Sequence, residues 1–196
     1  MLDNPGTLGL DHPIFMTMPI SNAALARWNE LDAEAAAREI LPCCGSRAWA
    51  DGLTARRPFK DERELFDVSD AVWDGLAEDD WREAFDSHPR IGQSHARAAT
   101  EESLAWSAQE QREAVTREGS PDEAAKLALA AANRQYEERF GRIFIVCASG
   151  KSATEILAIL ERRLQSTAAA EMLEAAEQQR QITQLRLRRW LGVNPQ

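Results

Sequence analysis

A chain of 196 residues, 44% hydrophobic and 28% charged, with no Gly/Ser-rich or Pro-rich linker, reads as one soluble globular domain able to bury a sizeable core. The formal net charge of −9 argues against nucleic-acid binding, which needs a concentrated basic surface, and no apolar run approaches the roughly 18 residues that span a bilayer. The three cysteines, Cys43, Cys44 and Cys147, are odd in number with two adjacent, so reduced thiols and a cytoplasmic location are expected.

Residues 1–20 show neither a basic start nor an apolar signal core and read as an N-terminal arm, ahead of a helical domain over 21–191 and a tail over 192–196. After residue 20, Ala, Leu, Glu, Arg and Gln dominate and apolar residues recur at three and four, which predicts an all-α bundle of about eight helices. Ser21 is the expected cap of a first helix bearing Leu25, Trp28 and Leu31, and Ala33 to Leu41 a second that stops before Pro42. Ser46 to Ala55 follows, closed by Arg57-Pro58-Phe59. Asp61 to Leu76 carries Leu65, Val68, Val72 and Leu76, and Asp80 to Asp86 adds a short helix with Trp81 and Phe85. Residues 91–100 read as loop, and Glu102 to Glu118 as helix again. Ser120-Pro121-Asp122-Glu123 is a start signal for a helix to Arg139, and Ser152-Ala153-Thr154-Glu155 is a capping box for a helix through Leu164. Between them Ile143 to Ala148 is continuously apolar, and is either a buried extended stretch or a lone short strand whose amides need acceptors. The last helix, Ala168 to Leu191, is expected to turn Leu173, Ala176, Ile182, Leu185 and Trp190 inwards.

The candidates for chemistry are few. His88 precedes Pro89, which disfavours helical dihedrals before it, so the imidazole falls where the preceding helix unwinds. Such a dipeptide is a simple stop or a placed proton carrier, since histidine titrates near neutrality. Arg186 lies beside the apolar stripe of the last helix, either as a surface residue with a packed stem or reaching inwards. Ser149-Gly150-Lys151-Ser152 looks like the end of a phosphate loop, but its first glycine would fall at Ile145, which removes the amide nest. No metal site is expected, because His12, His88 and His95 complete no ligand pattern with the cysteines. No serine elbow or cysteine signature supports covalent hydrolysis. What remains is acid–base chemistry without a cofactor, on a substrate carrying its own electron sink.

Several segments in order carry a resemblance: Arg57-Pro58-Phe59, Ser87 to Gly92, Ser107-Ala108-Gln109-Glu110-Gln111, Asn133 to Gly141, Phe144 to Ala148 and Leu185-Arg186-Leu187. Together they resemble the 2-oxo-4-hydroxy-4-carboxy-5-ureidoimidazoline (OHCU) decarboxylase family, the third enzyme of urate breakdown to (S)-allantoin, over about Ser21 to Leu191. The resemblance implies an all-helical, cofactor-independent lyase, usually a homodimer, that binds a small substrate and neither nucleic acid nor membrane. It implies that His88, Glu110 and Arg186 are catalytic. Substrate contacts would come from Pro89, Ser107, Gln111, Phe144, Ile145, Val146, Cys147 and Ala148.

The chain departs from the pattern in three places. Arg90-Ile91-Gly92-Gln93 stands where many members have Asp-Leu-Ala-Gly, Arg112-Glu113 where many have Ala-Gly, and Arg142-Ile143-Phe144 where Phe-Pro-Phe is common. These touch the pocket rim more than the reaction. The alternatives are a helical interaction module that kept the scaffold without the activity, and an enzyme of this fold acting on a related ureido acid.

Overall fold

The computed structural model describes residues 22–90, 100–116 and 123–193. Among the described residues there are nine helices, against the eight or so expected, and no strand. They are α1 (Ala23–Asn29), α2 (Ala33–Cys44), α3 (Arg47–Thr54), α4 (Glu62–Asp74), α5 (Glu78–Asp86), α6 (Glu101–Thr116), α7 (Glu123–Phe140), α8 (Ala153–Arg163) and α9 (Ala168–Trp190). The predicted N-terminal arm, the 91–99 loop and the Ser120 start signal lie outside the described residues.

Helix starts follow the caps that the sequence offers. Asp32, Ser46, Asp61, Ser152 and Thr167 each accept an amide hydrogen two or three positions into a helix, and Glu155 reaches back to the Ser152 amide at 2.7 Å to complete the box. Two boundaries differ from expectation. The first helix is capped by Asn22, not Ser21: its Oδ1 accepts from Ala24 N at 2.9 Å, while its Nδ2 donates to Leu191 O at 2.8 Å and ties this end to the end of α9. The second runs through Pro42 and ends at Gly45, whose φ of 92° is left-handed. Pro42 is tolerated because in the last turn its missing N–H forfeits one bond, to the carbonyl of exposed Arg38.

α2 and α9 cross at the centre, with α3, α4 and α5 packed round them. The core is built on tryptophans whose indole nitrogens all find acceptors: Trp28 donates to Ala36 O at 3.0 Å, Trp49 to Ser69 O at 3.3 Å and Trp73 to Ala176 O at 3.0 Å. Arg57-Pro58-Phe59 belongs to this scaffold. Arg57 donates to the carbonyls of Trp28, Leu31 and Thr54, and Phe59 stacks on the Trp28 ring at 6.0 Å.

A second, smaller cluster gathers on α7 and α8 around Tyr136, Ile156 and Leu160. Residues 143–148 run extended between the two, so the buried-stretch alternative holds. Successive side chains of an extended chain point opposite ways: Ile145 and Cys147 join the main core, and Phe144 and Val146 the smaller one. The segment is pinned by Arg163, whose Nη1 donates to Ile145 O at 2.7 Å while its Nη2 grips Glu171 Oε1 at 2.5 Å. The Tyr136 hydroxyl donates to the same carboxylate, and Arg142 approaches it at 3.9 Å. Burial, reinforced by that carboxylate, pushes the Tyr136 phenol well above its usual range.

On α9 one expectation fails. Leu173 is 63% exposed, whereas Met172, Ala175, Ala176, Gln179, Ile182, Thr183, Arg186 and Leu187 are buried. The inward stripe is therefore partly polar. Leu185 and Trp190 pack half-buried at its edge.

Candidate active site

α5 ends as Pro89 requires. Ser87 caps it, the His88 amide donates to Phe85 O at 3.0 Å, and both His88 and Pro89 are buried. Gly45 makes this possible from the facing end of α2: a Cβ there would stand 2.1 Å from Ser87 Oγ, so only glycine lets the two helix ends close up.

The last turn of a helix leaves carbonyls without intrahelical partners, and those of α2 are taken by α9. Arg186 Nη1 approaches Pro42 O at 3.5 Å, and Gln179 Nε2 donates to Cys44 O at 3.2 Å. The negative end of the α2 dipole thus faces a guanidinium that is 0% exposed. Arg186 Nη2 also donates to Ser107 Oγ at 2.9 Å on α6, and its plane lies near the Trp106 ring at 5.9 Å. Helical spacing explains how: 179, 183 and 186 share one face of α9, and that face turns inwards.

His88 sits in the field of Arg186 and beside Gln179. Burial first, then the Arg186 charge, holds its pKa well below 6.5, with Gln179 opposing. The imidazole is therefore neutral at pH 7, a proton acceptor on one nitrogen and a donor on the other. Its Nε2 and the Gln179 Oε1 are both buried without a hydrogen-bond partner among the described residues. Burial pushes the nearby Cys44 thiol up to about 12, so it stays protonated and is no nucleophile.

The structure thus brings together His88, Pro89, Ser107 and Arg186 from three distant stretches of chain. Glu110 and Gln111 follow three and four residues after Ser107 on α6, but their side chains lie outside the described residues. Residues 144–148 meet α9: the Cys147 amide, expected among the substrate donors, donates to Gln178 Oε1 at 2.9 Å. Phe144 lies against Tyr136 and under the Arg163 guanidinium, with its face to the smaller core. Lys151 donates to Cys147 O at 2.8 Å and Ser152 caps α8, so the phosphate-loop look-alike has local structural duties.

Sequence reading missed Gln179 and Thr183. The signal was present in their spacing of seven and three from Arg186, but a polar residue reads as outward unless its partners are known.

Comparison with known proteins agrees with this arrangement. A family model described as OHCU decarboxylase matches residues 29–188. The uric acid degradation bifunctional protein TTL of Arabidopsis thaliana is 32% identical over 145 residues, 74% of this chain, although the chain spans only 44% of that protein's length. A Homo sapiens protein assigned as a 2-oxo-4-hydroxy-4-carboxy-5-ureidoimidazoline decarboxylase is 31% identical over 159 residues, covering 81% of this chain and 87% of its own. A crystal structure of OHCU decarboxylase in the presence of (S)-allantoin superposes with a TM-score of 0.67 at 30% identity, over 79% of this chain and 97% of that one. A crystal structure of (S)-allantoin synthase shares the fold, with a TM-score of 0.63 at 16% identity over 90% of this chain and 54% of the other. With four-fifths of its length matched by the family model, this chain belongs to the OHCU decarboxylase family.

Proposed function

We propose that this decarboxylase of urate catabolism works at the junction of α2, α5, α6 and α9, with His88 and Arg186 as reacting groups and Glu110 as their carboxylate partner. The observation that carries this reading is the convergence of a neutral buried imidazole and a fully buried guanidinium from residues 98 positions apart (186 − 88). A guanidinium held wholly inside the fold by a serine hydroxyl and a main-chain carbonyl, in the field of a neutral imidazole, suits an anionic substrate.

The chemistry follows from the substrate. Breaking the bond to the carboxylate releases CO2 and leaves an electron pair that flows towards the adjacent ring carbon and nitrogen. The ring nitrogen that receives the pair takes up a proton, the 4-hydroxyl loses its proton and becomes a carbonyl, and the ureido-bearing carbon gains a proton on one face, giving (S)-allantoin. The substrate itself is the electron sink, so the proposed route uses no cofactor. Neutral His88, with Glu110, handles the hydroxyl and carbon protons. Arg186 supports negative charge as it develops, with a fork of donors suited to a planar anion. Ser107, Gln111, Pro89 and the segment Phe144, Ile145, Val146, Cys147 and Ala148 line the substrate's surroundings. In line with the family resemblance, the assembly is a cytoplasmic homodimer whose functional domain spans 21–191. Light scattering on the eluted protein measures that mass.

The test is direct. OHCU is generated from urate by the two preceding enzymes, this protein is added, and optically active allantoin is followed by circular dichroism. Faster appearance of the (S) signal than in its absence is expected; no acceleration overturns the reading. His88→Ala is expected to lower turnover by about 10²- to 10⁴-fold with an unchanged far-ultraviolet spectrum.

A further inference from the structure

Gln179 is wholly buried, and its amide nitrogen is spoken for. Nε2 donates to Cys44 O at 3.2 Å and faces Thr183 Oγ1 at 3.4 Å. Those contacts fix the rotation of the amide and turn Oε1 away from Cys44 O, while His88 lies within the influence of the same side chain. Among the described residues, Gln179 Oε1 and His88 Nε2 are both buried and both lack a hydrogen-bond partner. One is an obligate acceptor; the other is a nitrogen that can carry a hydrogen. The remaining polar groups at this spot cannot serve the ring in the same way. Arg186 has only donors, and the Cys44 thiol, high in pKa, stays protonated.

We infer that Gln179 is a positioning residue for His88: the two unsatisfied atoms pair in the working site, Oε1 taking the Nε2–H of the neutral imidazole, which holds that tautomer and ring orientation and leaves the Nδ1 lone pair to meet the substrate. The inference rests on His88 being the reacting histidine. It adds that the working nitrogen is chosen by a glutamine six residues before the nearest segment that carries the family resemblance. The neutral state makes the choice of tautomer matter, because a doubly protonated ring would have none to choose. The direction of the Gln179 influence on His88, which favours the protonated form, is that of an acceptor facing the ring.

The test uses the full chain labelled with ¹⁵N-histidine. His88 is identified among the three histidines by its disappearance in His88→Gln. Long-range ¹H–¹⁵N spectra at pH 7.5 are expected to show His88 as the Nε2–H form, with that proton exchanging slowly with water. Gln179→Leu removes the acceptor: the Nε2–H exchange is expected to quicken at least about tenfold. Its kcat should fall at least about tenfold, but by less than the roughly 10²- to 10⁴-fold cost of losing an acid–base group, with KM within about twofold. An Nδ1–H tautomer in the unmodified protein overturns the inference without any variant. So does a Gln179→Leu protein whose Nε2–H is unchanged, even if its kcat falls, because a merely structural residue would behave that way. Should the unmodified protein fail to turn over OHCU while the spectra behave as described, the functional reading fails and the His88–Gln179 contact stands.

Discussion

At the scale of single residues, Arg186 is the group whose environment most constrains its chemistry. It holds Ser107 Oγ at 2.9 Å and reaches Pro42 O at 3.5 Å with two different nitrogens, a division that only a planar fork allows. Arg186→Lys keeps the charge but cannot span both, and is expected to lower kcat/KM by about 10²-fold, equivalent to about 2.7 kcal/mol of transition-state stabilisation. Steady-state rates on freshly generated OHCU measure this. His88 could be singled out from sequence because Pro89 dictates where its helix stops. Gln179 could not, because nothing in a glutamine codon tells that the end of α2 will present an unpaired carbonyl to it. Arg186 was open in the same way: the residue beside the apolar stripe proved to be in it.

At the scale of elements, the closeness of the α2 and α5 ends depends on one backbone position. Gly45→Ala adds a methyl into Ser87, besides forcing a left-handed φ of 92° on an L-residue. A loss of at least about 1–2 kcal/mol is expected, read from denaturant midpoints, together with reduced turnover because Ser87 adjoins His88. Adding Ser87→Gly should recover part of both losses, the mark of a steric rather than a conformational cost. The buried Arg163–Glu171 grip is the corresponding device for residues 143–148. Glu171→Ala strands Arg163 and Arg142 as buried cations and is expected to cost roughly 3–5 kcal/mol. Elements themselves were largely legible, since periodicity and caps are local properties. The errors lay where tertiary partners decide: Pro42 inside α2, and the face of α9, where Leu173 looked like core until polar Gln179, Thr183 and Arg186 claimed the stripe.

At the scale of the whole molecule, the depressed His88 pKa couples folding to pH. The unfolded chain takes up this proton near pH 6.5, whereas the folded protein resists until well below. Below about pH 6.5 the unfolded state therefore binds more protons, and stability falls with decreasing pH at up to about 1.4 kcal/mol per unit until the folded pKa is reached. Above that window the term is constant. His88→Gln should flatten the slope between pH 6.5 and 5, whereas Glu39 and Glu177, held low by Arg27 and Arg180, act only at more acid pH. Chemical denaturation across that range distinguishes the two. Among the described residues no helix is long and apolar enough to cross a membrane, and no disulfide joins the three cysteines.

The extended run between the two cores has an evolutionary corollary. Because Phe144 and Val146 serve one cluster while Ile145 and Cys147 serve the other, inserting or deleting a single residue just before the run would exchange the clientele of both cores at once. Changes of two residues keep the parity. Length variation near residues 141–143 should therefore be tolerated in steps of two, whereas substitution at each position is free to drift so long as it respects the volume on its own side.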